Sequence, residues 1–388
     1  MAITKINGGV TAPKGFLASG LNAGIKNQTK KDMAMVFSST PCAAAGVFTT
    51  NLVKAAPVKW DKELVTTSPY VQAVVVNSGI ANACTGAEGL GYCADTAAEA
   101  AAALNIPKTA VLVASTGVIG KQLPIDKIKS GVTALSKVLG SSREDAKLAA
   151  EAIMTTDTKS KEVACTLELD GKQVTVAGMC KGSGMIHPNM CTMLCFVTTD
   201  VAISHELLQK ALSEDVVDTF NMISVDGDTS TNDTVLVMAN GQAENTPITK
   251  EGEDYKTFCE ALHFIMLELS KKIAGDGEGC TCLFEAIGAK DKNQARTIAK
   301  SVVCSSLTKA AVFGHDANWG RILCAMGYSG AQFDPEVVDI WLESKAGTIK
   351  IVENGIATDY SEETATKILS EEEVIAKMDI KDSNSIWL

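Results

Sequence analysis

The chain has few histidines, no paired-cysteine motif and no long apolar run, and each shortage removes a class of function. Only four histidines occur, His187, His205, His263 and His315, and they are scattered. Twelve cysteines are present, yet none forms a C-x-x-C pair, so the ligand spacing of a zinc framework is missing. No uninterrupted apolar run approaches the roughly 20 residues of a membrane-crossing helix. The opening Met1-Ala2-Ile3-Thr4-Lys5-Ile6-Asn7 carries no apolar signal core. The expectation is therefore a soluble, cytoplasmic protein without a membrane partner, its thiols reduced and mostly buried. Basic runs are also missing, and the formal net charge is −11. Nucleic acid is excluded as a partner, because neutralising phosphates needs clustered Lys and Arg.

What remains is an ordinary globular balance, with 46% hydrophobic and 21% charged residues over 388 positions. That length holds two domains or one large one with a substantial core. Val71–Val76 is a nearly continuous apolar run that reads as a buried strand. Tyr92–Leu104 reads as a helix, and Val111–Val113 as a second buried strand that ends in the tight segment Ser115-Thr116-Gly117. Helices are expected over Pro124–Leu139 and Ser142–Met154. Strands Val163–Leu169 and Val174–Gly178 flank Asp170-Gly171, a strong hairpin dipeptide. Downstream, the pattern predicts strands at Thr192–Thr198, Thr234–Met238, Cys280–Ala289, Val338–Leu342 and Thr348–Val352. Helices are predicted at Ser204–Phe220, Glu253–Ile273, Gln294–Ser306 and Ser361–Leu369. In the first of these, Leu208, Leu212, Val216 and Phe220 mark the buried face. Short strands mixed with helices fit a layered α/β or α+β architecture.

One segment carries chemistry. In Lys181-Gly182-Ser183-Gly184-Met185-Ile186-His187-Pro188-Asn189-Met190-Cys191-Thr192-Met193-Leu194, a glycine-rich run leads to a threonine at the start of a strand. On composition this is a hairpin turn followed by a strand. It is also where a chain could expose an N-terminal nucleophile. A threonine hydroxyl becomes reactive when a base sits beside it, and a freed α-amino group on the same residue is such a base. That amine titrates at about 7.7–8.0 in model peptides.

Other segments carry the same signature in order. They are Gly9–Phe16 (GVTAPKGF), Val76–Gly86 (VNSGIANACTG), Thr116–Gly120 (TGVIG), Met154–Thr158 (MTTDT), Phe220–Thr234 (FNMISVDGDTSTNDT), Gly275–Gly279 (GDGEG) and Asp316–Ile322 (DANWGRI). Together with KGSGMIHPNMCTML they resemble the ArgJ family, the ornithine acetyltransferases of arginine biosynthesis. The resemblance implies a mixed α/β (α+β) fold, a layered αβ sandwich of the ArgJ and DmpA-like type. It further implies self-cleavage between Cys191 and Thr192 into an α chain, residues 1–191, and a β chain, residues 192–388.

The resemblance makes Thr192 the nucleophile and assigns Thr116 and Gly117 to the oxyanion site. Thr155 and Lys181 become substrate ligands, and Glu278 the holder of the ornithine ammonium. Read without it, Thr116-Gly117 is a strand-ending turn, Thr155 part of a polar cluster ending a helix, Lys181 a solvated lysine and Glu278 a surface turn residue. Asp226, Asp228 and Asp233 fail the calcium-loop pattern and read as a structured polar loop near the site. Cys280 and Cys282 lie two apart and face one side of their strand. Departures from the family pattern are His187 and Cys191, which stand where the family has small apolar residues. The tail is another, because ArgJ proteins continue past the segment resembling Met378–Asn384 into a final strand and a substrate-contacting tail. Here the sequence ends at Ser385-Ile386-Trp387-Leu388, so the expectation is truncation or a site closed differently.

The implied activity moves acetyl from N2-acetyl-ornithine to glutamate through an acetyl-Thr192 intermediate. No metal or organic cofactor is implied, and no motif decides whether acetyl-CoA also donates. The partners implied are small-molecule substrates and a heterotetramer of two α and two β chains. Two other readings stay open: an N-terminal-nucleophile amidohydrolase or aminopeptidase using water as acceptor, and an inactive truncated member.

Overall fold

A computed structural model describes residues 3–187, 193–277 and 281–383. The chain divides into two compact units, one running to Asn221 and again over Asp228–Asp276, the other over Met222–Gly227 and from Gly277 onward. This division is separate from the expected cut, whose bond lies outside the described residues.

The first unit begins with β1 (Thr4–Ile6), β2 (Phe16–Leu21), β3 (Met33–Phe48), α1 (Ala56–Thr67) and β4 (Val71–Ile80). Next come α2 (Glu88–Leu104), β5 (Val111–Val118), α3 (Ile125–Lys137) and α4 (Arg143–Ala152). It closes with β6 (Lys161–Leu169), β7 (Lys172–Lys181), β8 (Leu194–Thr199), α5 (His205–Asp215), β9 (Thr234–Ala239) and α6 (Glu253–Ala274). Nine strands form one sheet in the order β1-β6-β7-β8-β9-β3-β4-β5, with β2 also paired to β3. Helices cover both faces, and the strand residues divide by parity. Met33, Met35, Ala73 and Val75 join Ala97, Ala100, Ile128 and Val132 of α2 and α3 in one core. Their neighbours Ala34, Val36, Val74 and Val76 join Ala146, Ala149 and Ile153 around α4 in another. Burial on both faces is why Val71–Val76 is a continuous apolar run rather than an alternating one.

Strands from both sides of residues 188–192 interleave. β7 pairs antiparallel with β8, and β9 pairs parallel with β8 and antiparallel with β3. The Asp170-Gly171 hairpin forms as expected, with φ of 49° and 69° that match a two-residue turn with both central residues in the left-handed region. Lys161–Leu169 pairs with Lys172–Lys181 across it.

The second unit contains β10 (Thr281–Ile287), α7 (Lys292–Cys304), α8 (Ser306–Phe313), α9 (Trp319–Gly327), β11 (Asp339–Ser344), β12 (Gly347–Glu353), β13 (Ile356–Ala357), α10 (Glu362–Leu369) and β14 (Glu373–Asp379). Its five strands run β10-β14-β11-β12-β13, with a core that includes Ile298, Val302, Ile340, Ile368 and Met378. The fold is thus mixed α/β with sheets layered against helices.

Two expectations are corrected. The strand predicted to end at Ser115-Thr116-Gly117 continues to Val118. The helix predicted over Ser204–Phe220 stops at Asp215, because Thr219 Oγ1 caps the Asp215 carbonyl at 2.9 Å and the Asn221 N–H turns back to the Val216 carbonyl. Val216 and Phe220 are nevertheless buried. The sequence reading also passed over β3 and β14.

Candidate active site

Thr116 and Gly117 stand at the end of β5, beside β4. The two strands are parallel, with Ser78 opposite Thr116 and Gly79 opposite Gly117, and their register shifts at Ile80. Gly117 has a φ of +133°, and a Cβ there would lie 2.2 Å from the Gly79 carbonyl carbon. Backbone meets backbone at this point, so only glycine fits. A polar frame fixes the strand ends. Ser115 Oγ donates to Asn77 Oδ1 at 2.6 Å, and Asn77 Nδ2 donates to the Ile80 carbonyl at 2.9 Å. Asn232 Nδ2 donates to the carbonyls of Ala81 and Ser115 at 2.6 and 2.8 Å. The STNDT stretch therefore serves as a clamp on the strands that present Thr116.

Lys181, the last residue of β7, is only 7% exposed, far from the solvated fate usual for a lysine. Its Nζ donates to Thr116 Oγ1 at 3.4 Å. β8 begins beside it, with Leu194 in register with both Lys181 and Thr234, and the Thr234 N–H bonds the Met193 carbonyl at 3.0 Å. Burial pushes the Lys181 ammonium below its ordinary range; Asp157 and Asp233 oppose that shift and Lys161 adds to it. Asp233 is itself buried, which places one member of the expected polar loop against the site.

Thr155 lies in the loop between α4 and β6, its N–H bonded to Asp157 Oδ2 at 2.9 Å. The α4 helix starts at a capping box made by Ser142 and Asp145 and ends at Ala152. Ser78 Oγ holds the Ala152 carbonyl at 2.5 Å, and the Lys26 ammonium bonds the Met154 carbonyl. Thr156 and Ser183 share a 2.7 Å hydroxyl contact that ties this loop to the segment after Lys181. The sequence reading missed Lys26. Burial lowers its pKa to about 8, with Asp32 opposing the shift and Asp157 and Lys181 among its charged neighbours. Nothing in the sequence around it marks Lys26 out.

Asp157 and Lys161 were missed as well, although Asp157 stands inside the MTTDT motif. Desolvation alone would raise the Asp157 carboxyl, but the Lys181 and Lys161 ammonium groups and its hydrogen bonds hold it below its ordinary value. Asp276 is held low in the same way against its own burial, by Lys161 and Thr158.

The structure thus brings Thr116, Gly117 and Lys181 together, and ties Thr155 to them through Asp157. Cys191, Thr192 and Glu278 lie outside the described residues, as does Cys280; Cys282 is half-buried on β10. Among the described residues no group of three or more His, Cys, Asp or Glu could hold a metal ion, and no helix is long and apolar enough to cross a membrane. Chemically, the described residues offer a hydroxyl and a backbone N–H beside a buried ammonium, a set suited to a carbonyl that develops negative charge and to a carboxylate.

Comparison with known proteins identifies the family. The ArgJ family model matches residues 17–387. The Arginine biosynthesis bifunctional protein ArgJ of Thermotoga neapolitana is 50% identical over 377 residues, covering 96% of this chain and 94% of the relative. The protein of the same name from Symbiobacterium thermophilum is 52% identical, covering 96% and 92%. A crystal structure of Ornithine Acetyltransferase complexed with ornithine from Mycobacterium tuberculosis has 44% identity over 48% of this chain and 99% of that one, with a TM-score of 0.46. By the extent of the family-model match and the identity to these two relatives, the chain belongs to the ArgJ family.

Proposed function

We propose that this protein is a self-processing glutamate N-acetyltransferase of arginine biosynthesis, transferring acetyl from N2-acetyl-L-ornithine to L-glutamate. The observation that carries the reading is the buried Lys181–Thr116 pair beside Gly117, in a chain that belongs to the ArgJ family along nearly its whole length.

In this reading the Thr192 hydroxyl attacks the Cys191 carbonyl, the peptide bond becomes an ester, and water hydrolyses it. The products are an α chain, 1–191, and a β chain, 192–388, whose first residue now has a free amine. Pairing of β7 with β8 and of β9 with β3 supports the two pieces staying together after the cut. In turnover the Thr192 hydroxyl attacks the acetyl carbonyl while its own amine accepts the proton. The Thr116 hydroxyl and the Gly117 N–H donate to the oxyanion, each donor of this kind being worth about 2.7–4 kcal/mol. Ornithine leaves with the returned proton. The amine of glutamate then attacks the acetyl ester, and Thr192 is regenerated. Lys181 binds a substrate carboxylate as a point charge, with Thr155 beside it, and Glu278 takes the ornithine ammonium.

These steps use no resident metal or organic cofactor. Acetyl-CoA enters only as a second donor substrate, measured by acetylglutamate formation without acetylornithine. We assign the processed enzyme to the cytoplasm, where free amino-acid substrates are made, and to a heterotetramer of two α and two β chains. The testing experiment is acetyl transfer with and without glutamate. Release of ornithine beyond one equivalent per site that needs glutamate supports transfer, and sustained release indifferent to glutamate would mean that water is the acceptor.

A further inference from the structure

One buried carboxylate links the parts of this site. Asp157 Oδ1 accepts from Lys161 Nζ at 2.7 Å and from the Gly182 N–H at 2.6 Å, while its Oδ2 accepts from the Thr155 N–H at 2.9 Å. Gly182 directly follows Lys181. Lys161 also pairs with Asp276, whose carboxylate accepts the Thr158 N–H at 3.0 Å. The side chains of Asp157, Lys161 and Asp276 are all at most 5% exposed. Four backbone or ammonium donors thus converge on two carboxylates inside the protein, and buried charges of this kind persist only when paired.

We propose that Asp157 is a positioning residue: it holds Thr155 and the Lys181–Gly182 backbone in one register and supplies the countercharge that lets a buried Lys181 ammonium bind a carboxylate. Lys161 and Asp276 brace it from behind. The proposal rests on the transferase reading, in which Lys181 meets the substrate carboxylate.

The charge count favours this role. Lys161 bonds both carboxylates, so Asp157 and Asp276 together face two ammonium groups, those of Lys161 and Lys181. The other titratable groups facing Lys181 are Asp233, Cys180 and Lys26. Asp157 and Lys161 act on the Lys181 ammonium with opposite signs, so their removal has opposite consequences. A merely structural role for the pair would not produce such a split.

The test is the pH profile of kcat/KM for glutamate in Asp157→Asn and Lys161→Met, each checked for folding by its melting curve. Asp157→Asn moves the alkaline limb down by about 1–3 pH units, the usual effect of losing a close opposite charge, and raises KM more than it lowers kcat. Lys161→Met moves the same limb up. An unmoved limb in Asp157→Asn, or movement of both variants in one direction, overturns the proposal. If Asp157→Asn does not fold, the Lys161→Met arm decides, and an unmoved or lowered limb there overturns it. The Lys181 side chain can also be titrated without turnover, by NMR of 15N-lysine-labelled protein with Lys181→Met assigning the signal. A wild type that transfers no acetyl sinks the functional reading; the NMR titration then judges this proposal alone, with the same expected directions.

Discussion

Lys181 Nζ donates to Thr116 Oγ1 across 3.4 Å, joining residues 65 positions apart at the ends of β7 and β5. The ammonium has no lone pair, so the hydroxyl oxygen must accept. Its own proton is then available to another acceptor. A buried cation behind the hydroxyl also strengthens that donor, since charges act over a lower dielectric inside a protein. The two residues proposed as substrate-binding lysine and oxyanion donor are thereby physically coupled.

Removing the Thr116 hydroxyl tests this coupling. Thr116→Ala is expected to lower kcat by about 100- to 1,000-fold, the usual effect of losing one oxyanion donor. Thr116→Ser keeps the donor and is expected to retain most of the activity. Steady-state kinetics of the two variants at matched processing provides the check, and equal loss in both would assign Thr116 to packing.

Gly117→Ala is expected to fail by a different route. The new Cβ would meet the Gly79 carbonyl at 2.2–2.4 Å and the Ile80 nitrogen at 2.6 Å, and these are backbone atoms that cannot swing aside. The φ of +133° adds about 1–3 kcal/mol of strain. A lowered melting temperature with loss of transfer is the expected outcome. An alanine variant with wild-type melting and activity would show that β4 and β5 are not held this close.

Asp61, on α1, shapes the pH dependence of stability. It is fully buried and accepts the Val113 N–H at 2.8 Å, and burial drives its carboxyl well above the ordinary value. Because the folded pKa is raised, the unfolded chain ionises first as pH rises past about 4. Folding stability from this group therefore falls with rising pH until the folded pKa is reached, with a slope of about 1.4 kcal/mol per pH unit. Asp61→Asn keeps the acceptor for Val113 and removes the titration. Denaturant unfolding at a series of pH values should show the variant gaining on the wild type as pH rises; parallel curves would refute the assignment.

Some of this was legible from residues alone. Val71–Val76 announced a strand buried on both faces, and Asp170-Gly171 announced its hairpin, because each signal is local. β3 was not legible. Its middle, Ser38-Ser39-Thr40-Pro41, reads as a break, and Ala43-Ala44-Ala45-Gly46 lacks strand formers. At the break the register of β3 on β4 shifts between Phe37 and Cys42, and from Ala43 onward β3 pairs with β9. Only tertiary pairing shows that. β14 was hidden by Glu371-Glu372-Glu373 and by its parallel pairing with the distant β10.

The site divides in the same way. Thr116, Gly117, Thr155 and Lys181, which the structure brings together, were singled out only by likeness to a family, since nothing in a lone lysine or a Thr-Gly pair declares its partner. Asp157 lay within a quoted motif without a role, and Lys161 outside any motif. Their roles depend on contacts across β6, β7 and the end of α6, which sequence spacing cannot reveal.

The most direct measurement of the central claim is the intact mass of purified wild type beside Thr192→Ala. The account predicts two wild-type species, ending at Cys191 and beginning at Thr192, and a single uncut chain for the variant. A wild type that transfers acetyl while remaining one chain of full mass would contradict it.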